Sequence, residues 1–237
     1  MLTNRKRAMK TYKVSEIVGP TIQGEGFHSG YPCALLRFSG CNLWDDKDSP
    51  SPVCPFCDTE SMHSFTEMTS EDIINHVKRV MPKVGGLIIT GGEPLLQLDE
   101  RLLLDLLNVA DWIDIETNGS VDPMFDVDHP LIHNNYKQGD YPVFFSVSPK
   151  TLNSLSGLMV RRASWIKILI PDKEYLLQGL KDLCPVRTSK EVYLQPVMPK
   201  GGSQCAEYKK ALQICLKLSW ETGSPISLQT HRTMCLP

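Results

Sequence analysis

Short apolar runs recur along the chain, and several of the segments between them carry their apolar residues at helical spacing. That alternation is the strongest constraint on the fold. The runs read as strands are Cys33–Ser39, Gly86–Thr90, Trp112–Glu116, Val143–Val147, Trp165–Ile170, Glu191–Leu194 and Ile226–Gln229, with an extra alternating segment at Lys13–Val18. Thr69 reads as an N-cap with Asp72 three residues on, ahead of Ile73, Ile74, Val77 and Val80 at helical spacing. Further helices are expected over about Asp99–Ala110, Lys173–Leu183 (capped by Asp172) and Cys205–Trp220. Strand followed by crossover helix gives a mostly parallel sheet. The segments 118–141 and 148–164 show little helical periodicity. A closed eightfold barrel takes about 250 residues. With 237 residues and helices missing, the expectation is an α/β fold, an incomplete, open barrel with a reduced helix count. Its active-site residues then gather at the C-terminal ends of the strands.

Residues 1–12 read as an N-terminal tail and 13–237 as a single domain. The formal net charge of -2 gives no polyanion-binding surface, so no nucleic-acid partner is expected. The basic group Arg5, Lys6, Arg7 and Lys10 reads as part of a solvated tail. No stretch approaches the roughly 18 apolar residues of a membrane span. A cytoplasmic protein is the expectation.

There are eight cysteines. In a reducing compartment clustered cysteines point to metal and scattered ones to packing. Cys41, Cys54 and Cys57 cluster, while Cys33, Cys184, Cys205, Cys215 and Cys235 are scattered. The Cys-x2-Cys pair turns two thiolates onto one centre. Three thiolates ligate three irons of a [4Fe–4S] cube and leave the fourth open to a ligand, whereas closed electron-transfer clusters use four cysteines. The same trio with His63 also makes a Cys3His zinc set. Spacing alone does not separate these readings.

Thr90-Gly91-Gly92-Glu93-Pro94 follows a strand, where two glycines let backbone approach a ligand closely and Glu93 adds a fixed carboxylate. Together, the cysteine trio after one strand and Gly-Gly-Glu-Pro after the next resemble the radical S-adenosylmethionine superfamily. The first cysteine gap departs from the usual three residues, since twelve separate Cys41 from Cys54. Arg37 is a charge inside an apolar strand and needs a partner. A substrate carboxylate held bidentately and a structural ion pair, for example to Glu25, both satisfy it.

Thr21-Ile22-Gln23-Gly24-Glu25-Gly26, Arg37, the long-gap trio, Cys57-Asp58-Thr59, Ser148-Pro149-Lys150, Gln195-Pro196 and Gln229-Thr230-His231 ahead of Pro237 resemble the 7-carboxy-7-deazaguanine synthase family over nearly the full chain. The resemblance implies radical-mediated ring contraction of 6-carboxy-5,6,7,8-tetrahydropterin to 7-carboxy-7-deazaguanine, with loss of ammonia, by a carbon–nitrogen lyase of queuosine biosynthesis. It implies a homodimer and a low-potential electron donor such as a flavodoxin. By the same resemblance Cys41, Cys54 and Cys57 hold the cluster. S-adenosylmethionine is held by Phe56, Asp58, Gly92, Glu93, Ser148, Pro149, Lys150, Gln195, Pro196, Val197 and Met198. Thr59 holds Mg²⁺, and Ile22, Gln23, Gly24, Glu25, Arg37, Thr90, His231 and the Pro237 carboxylate hold the pterin. No general acid or base is assigned. A radical activase acting on a partner protein, and a zinc-stabilised binding module, remain as other readings of the cysteines. Anaerobic metal analysis separates zinc from about four irons per chain.

Overall fold

The computed structural model describes residues 10–44, 57, 64–81, 85–130, 132, 143–150, 155–172, 191–199 and 202–236. Eight strands form one open sheet: β1 Thr11–Ile22, β2 Pro32–Phe38, β3 Thr66–Thr69, β4 Gly86–Gly91, β5 Trp112–Thr117, β6 Val143–Val147, β7 Trp165–Ile170 and β8 Glu191–Pro196, in the order β3-β1-β2-β4-β5-β6-β7-β8. From β2 to β8 every pairing is parallel, and β1 pairs antiparallel with both β2 and β3. This is the incomplete, open barrel expected. β1 carries two register irregularities, and Pro20, which lacks an N–H to give to a ladder, falls within the second.

Alternation along the strands sorts side chains onto two faces. Ala34, Leu36, Phe38, Leu87, Ile89, Ile113, Ile115, Ile166 and Ile168 are buried in the hydrophobic core. Helices α1 (Ser70–Val80), α2 (Glu100–Leu107), α3 (Gly157–Arg162) and α4 (Ala206–Thr222) add their apolar stripes to that core, among them Ile73, Val77, Leu102, Leu103, Leu106, Met159 and Leu218. Each such side chain contributes roughly 2 kcal/mol on burial. α1 begins with the expected capping box: Thr69 Oγ1 accepts from the Asp72 N–H at 3.2 Å, and Asp72 Oδ2 accepts from the Thr69 N–H at 3.0 Å. No helix among the described residues is long and apolar enough to cross a membrane.

Several features differ from expectation. Ile226–Gln229 is not a strand; only Ile226 makes a bridge, to Leu194. Its buried members are Ser227 and Gln229, whose side chains bond inward, so the run is a polar wall. β3 and α3 appear where no element was expected. The helix expected over 173–183 lies outside the described residues. Lys10 is not simply solvated, since its ammonium sits 2.6 Å from Asp99 Oδ2.

The loop between β1 and β2 folds back under the strands. His28 stacks on Trp112 with ring centroids 4.1 Å apart and meets Phe144 edge-on at 4.6 Å. Phe27 stacks on Trp165 at 5.7 Å. Trp112 and Trp165 begin β5 and β7, and Phe144 is the second residue of β6, so aromatic rings close the N-terminal end of the barrel.

Candidate active site

The face of the sheet away from the core lines a cavity that opens toward the C-terminal ends of the strands. β2 contributes Cys33, Leu35 and Arg37, β4 Ile88, Thr90 and Gly91, β5 Glu116, β7 Lys167 and Leu169, and β8 Gln195. The loop after β1 and the C-terminal segment close the side. That segment ends in a short helix, α5 (Thr230–Thr233), tied down by the Thr230 N–H to the Gly24 carbonyl at 3.0 Å.

At the rim, Gly92 lies against the cysteine loop. The Glu93 N–H donates to the Gly40 carbonyl at 2.9 Å, and the Gly92 N–H to the Phe38 carbonyl at 3.3 Å. A Cβ on Gly92 would stand 2.7 Å from Cys41 Cβ, so only glycine allows this approach. Burial pushes the Cys41 thiol up, and Cys57 is near enough to push it further. Two thiols thus share the rim beside a glycine cradle. That donor set fits an iron–sulfur cluster, which draws off the thiol protons that burial otherwise retains. Among the described residues no three His, Cys, Asp or Glu side chains gather as a metal site. Cys54, Phe56, Asp58, Thr59 and Pro237 lie outside the described residues.

Glu93 differs from its expected place. It is fully buried behind the rim, and its carboxylate accepts from the Leu95 N–H at 3.0 Å, Thr117 Oγ1 at 2.8 Å and the Asn118 N–H at 2.8 Å. It caps a short 3-10 helix, Pro94–Leu96, and fixes the end of β5. Gly92, Ser148, Lys150, Gln195, Val197 and Met198 line the cavity, with Lys150 Nζ donating to Ser148 Oγ at 3.0 Å, while Pro149 and Pro196 do not. Gln195 Oε1 accepts from Ser227 Oγ at 2.9 Å.

Ile22, Gln23, Gly24, Glu25, Arg37, Thr90 and His231 all line the cavity. Arg37 has an ion-pair partner, but it is Glu16, not Glu25: Nε sits 2.7 Å from Glu16 Oε1, its cross-strand neighbour. The terminal nitrogens of Arg37 hold no hydrogen bond among the described residues. Glu25 instead pairs with Lys167 and accepts from Gln229 Nε2 at 2.6 Å. Burial alone would raise the Glu25 carboxyl, but the Lys167 ammonium outweighs it and holds the group well below the usual carboxylate range. His231 packs on Gly24, with Nδ1 buried and without a hydrogen-bond partner among the described residues. Burial holds its imidazole below the ordinary value. A neutral ring with an orphaned nitrogen beside a cavity is one that a ligand satisfies.

Lys167, Asp114 and Glu116 were not singled out from sequence. The signal was present: each is a charge at an alternating position in an isoleucine-rich strand, as Arg37 is in its own. Gln23 Nε2 sits 3.3 Å from Asp114 Oδ2 and 3.4 Å from Glu116 Oε1.

Asp114 makes stability depend on pH. Burial, helped by Glu116, pushes its carboxyl up to about 6, against opposing contacts from His28 and Gln23. The unfolded chain releases this proton near 3.9. Between those values the folded state binds more protons, so this group's contribution to stability falls as pH rises through the window. The cost above pH 6 is of order 3 kcal/mol at most. Asp114→Asn is therefore expected to raise stability by about 1–3 kcal/mol at pH 7 and by little at pH 4, read by urea denaturation. An equal gain at both pH values would remove the titration argument.

Residues 39–184 match the Radical SAM superfamily. The chain is 32% identical over 243 residues to the 7-carboxy-7-deazaguanine synthase of Burkholderia multivorans, covering 96% of this chain and all of the relative. It is 30% identical over 237 residues to that of Bordetella pertussis, covering 95% of this chain and 99% of the relative. The crystal structure of QueE from Escherichia coli superposes with a TM-score of 0.63 at 21% identity, over 92% of this chain and 93% of the other.

Proposed function

The chain belongs to the 7-carboxy-7-deazaguanine synthase family of the radical S-adenosylmethionine superfamily, and from that membership we propose how its cavity performs the reaction. The enzyme contracts the ring of 6-carboxy-5,6,7,8-tetrahydropterin to 7-carboxy-7-deazaguanine with release of ammonia, a step of queuosine biosynthesis. When bound, the [4Fe–4S] cluster and S-adenosylmethionine supply the one-electron chemistry that begins with hydrogen abstraction from the substrate.

This chain's residues then have the following roles. Cys41, Cys54 and Cys57 hold the cluster. The Gly91–Gly92 backbone receives the amino group of the cofactor, and Glu93 acts one layer behind by fixing Thr117 and Asn118. Ser148, Lys150, Gln195, Val197 and Met198 surround the remainder, together with Phe56 and Asp58, while Pro149 and Pro196 shape the strand ends that carry them. Arg37, braced by Glu16, takes the substrate carboxylate, with Thr59 holding Mg²⁺ beside it. Glu25 accepts from the amino-bearing edge of the pterin. Ile22, Gln23, Gly24, Thr90, His231 and the Pro237 carboxylate hold the ring. Placement rather than proton transfer is the protein's main contribution, because abstraction needs near-contact of the reacting carbons. The enzyme works as a cytoplasmic homodimer fed by a low-potential donor such as a flavodoxin.

One observation carries the substrate assignment: a guanidinium with open terminal nitrogens and a set of carboxylate acceptors face the same cavity, whose rim residue Gly92 packs on Cys41. That arrangement suits a heterocycle with N–H donors at one end and a carboxylate at the other. The test is anaerobic turnover of the carboxypterin by cluster-reconstituted protein. No deazaguanine from protein holding about four irons would sink the reading. Arg37→Ala is expected to lower kcat/KM by about 10²-fold or more, from roughly 3 kcal/mol of lost charge pairing, with iron content unchanged. Near-normal turnover by that variant would overturn the role given to Arg37.

A further inference from the structure

Lys167 sits in the middle of β7 between Ile166 and Ile168, which are buried in the core, while its own side chain turns into the cavity and is 7% exposed. Its ammonium pairs with Glu25 Oε2 and lies 3.8 Å from Glu116 Oε1. The second oxygen of each carboxylate is held by a neutral donor: Gln229 Nε2 reaches Glu25 Oε1 at 2.6 Å, and Thr90 Oγ1 reaches Glu116 Oε2 at 3.1 Å. Both carboxylates are thereby fixed in direction as well as charge. The other titratable groups that face Lys167 are Asp114 and His231. Glu25 comes from the loop after β1, Glu116 and Asp114 from β5, and His231 from α5.

Carboxylates crowded in a low-dielectric site do not all stay ionised without a cation. Burial works against the Lys167 charge, but Glu116 and Glu25 outweigh it and hold the ammonium firmly protonated. The consequence concerns ligand choice. An ionised carboxylate only accepts hydrogen bonds, while a protonated carboxyl also donates one. A floor of ionised carboxylates therefore binds an amino group and repels an oxo group at the same place.

We propose that Lys167 is a positioning and specificity residue, holding Glu25 and Glu116 as fixed anionic acceptors so that the cavity takes rings bearing an amino group and rejects those bearing an oxo group in its place. This rests on the substrate class proposed above. It assigns Lys167 no direct role in hydrogen abstraction. Without the ammonium, burial acts unopposed on the Glu25 carboxyl, which takes up a proton, turns donor and accepts the oxo ring.

The test is fluorescence titration of anaerobic, cluster-loaded protein with two aromatic probes that differ at one group, 6-carboxypterin (amino) and 6-carboxylumazine (oxo). Wild-type protein is expected to bind the pterin about 10²-fold more tightly, the scale on which a hydrogen-bonding site rejects a mismatched group. In Lys167→Met the ratio falls to within about threefold at unchanged iron content, and it falls further as pH is lowered. Lys167→Gln, which keeps a polar group of similar length, shows the same collapse and serves if the Met variant does not fold. Lys167→Arg retains most of the preference. A folded Lys167→Gln protein with the wild-type ratio overturns the inference and leaves the substrate reading standing. Wild-type protein that binds neither ring overturns the substrate reading itself, and this inference with it.

Discussion

Gly92→Ala is expected to give a folded but colourless protein, with iron falling from about four to below about one per chain after reconstitution and with turnover lost. The new Cβ would stand 2.3 Å from the Gly40 carbonyl oxygen and 2.7 Å from Cys41 Cβ. The first of these is backbone, so no rotamer change relieves it. The ends of β2 and β4 have to move apart, and the hydrogen bond from the Glu93 N–H to the Gly40 carbonyl is lost with them. Cys41 moves as part of that segment. A metal cluster tolerates only a few tenths of an ångström in ligand position, so a small displacement is enough. Iron analysis and electron paramagnetic resonance of the reduced protein check the result. A Gly92→Ala protein with full iron content would show that this contact does not fix the thiol.

Gly24→Ala is expected to do the reverse: full iron content with kcat/KM lowered by about 10²-fold or more, a loss of about 3 kcal/mol in transition-state binding. Here the added Cβ would fall 1.7 Å from His231 Nδ1 and 2.8 Å from the His231 backbone nitrogen. The imidazole has to swing away, and α5 lifts from Gly24, breaking the bonds from the Thr230 N–H and hydroxyl at 3.0 and 3.1 Å. One wall of the substrate cavity is removed while the rim is untouched. Iron assay and steady-state kinetics on the same sample separate the two effects. Unchanged kcat/KM would show that His231 and its helix do not contact the reacting complex. Read side by side, the two alanines divide the cavity into a metal end and a heterocycle end.

Much of this arrangement was readable from the chain. Buried parallel strands appear as dense apolar runs, and each observed strand from β4 to β8 coincides with one. The α1 cap was legible because Thr69 and Asp72 act locally, within one turn. What escaped was set by distant partners. β3 reads Thr-Glu-Met-Thr, with no apolar face, because it is an edge strand paired on one side only. α3 spans six residues and buries one, too short for any periodicity. Lys167 and Glu116 each interrupt an apolar strand, and a charge there needs a partner that no neighbouring residue supplies. Arg37 interrupts its strand in the same way. Its partner, Glu16, lies directly across the β1–β2 pair and follows from the hairpin register alone. Glu25 was placed in the cavity, but its partner lies 142 residues away along the chain, and no local pattern points that far.

The aromatic cluster beneath the strands ties the loop after β1 to three separate strands of the sheet. Phe27 and His28 meet Trp112, Phe144 and Trp165, which belong to β5, β6 and β7. Gln23, Gly24 and Glu25 lie on the same loop, a few residues earlier, and line the cavity. Ring stacking at the base of the sheet therefore also anchors the polar residues of one cavity wall.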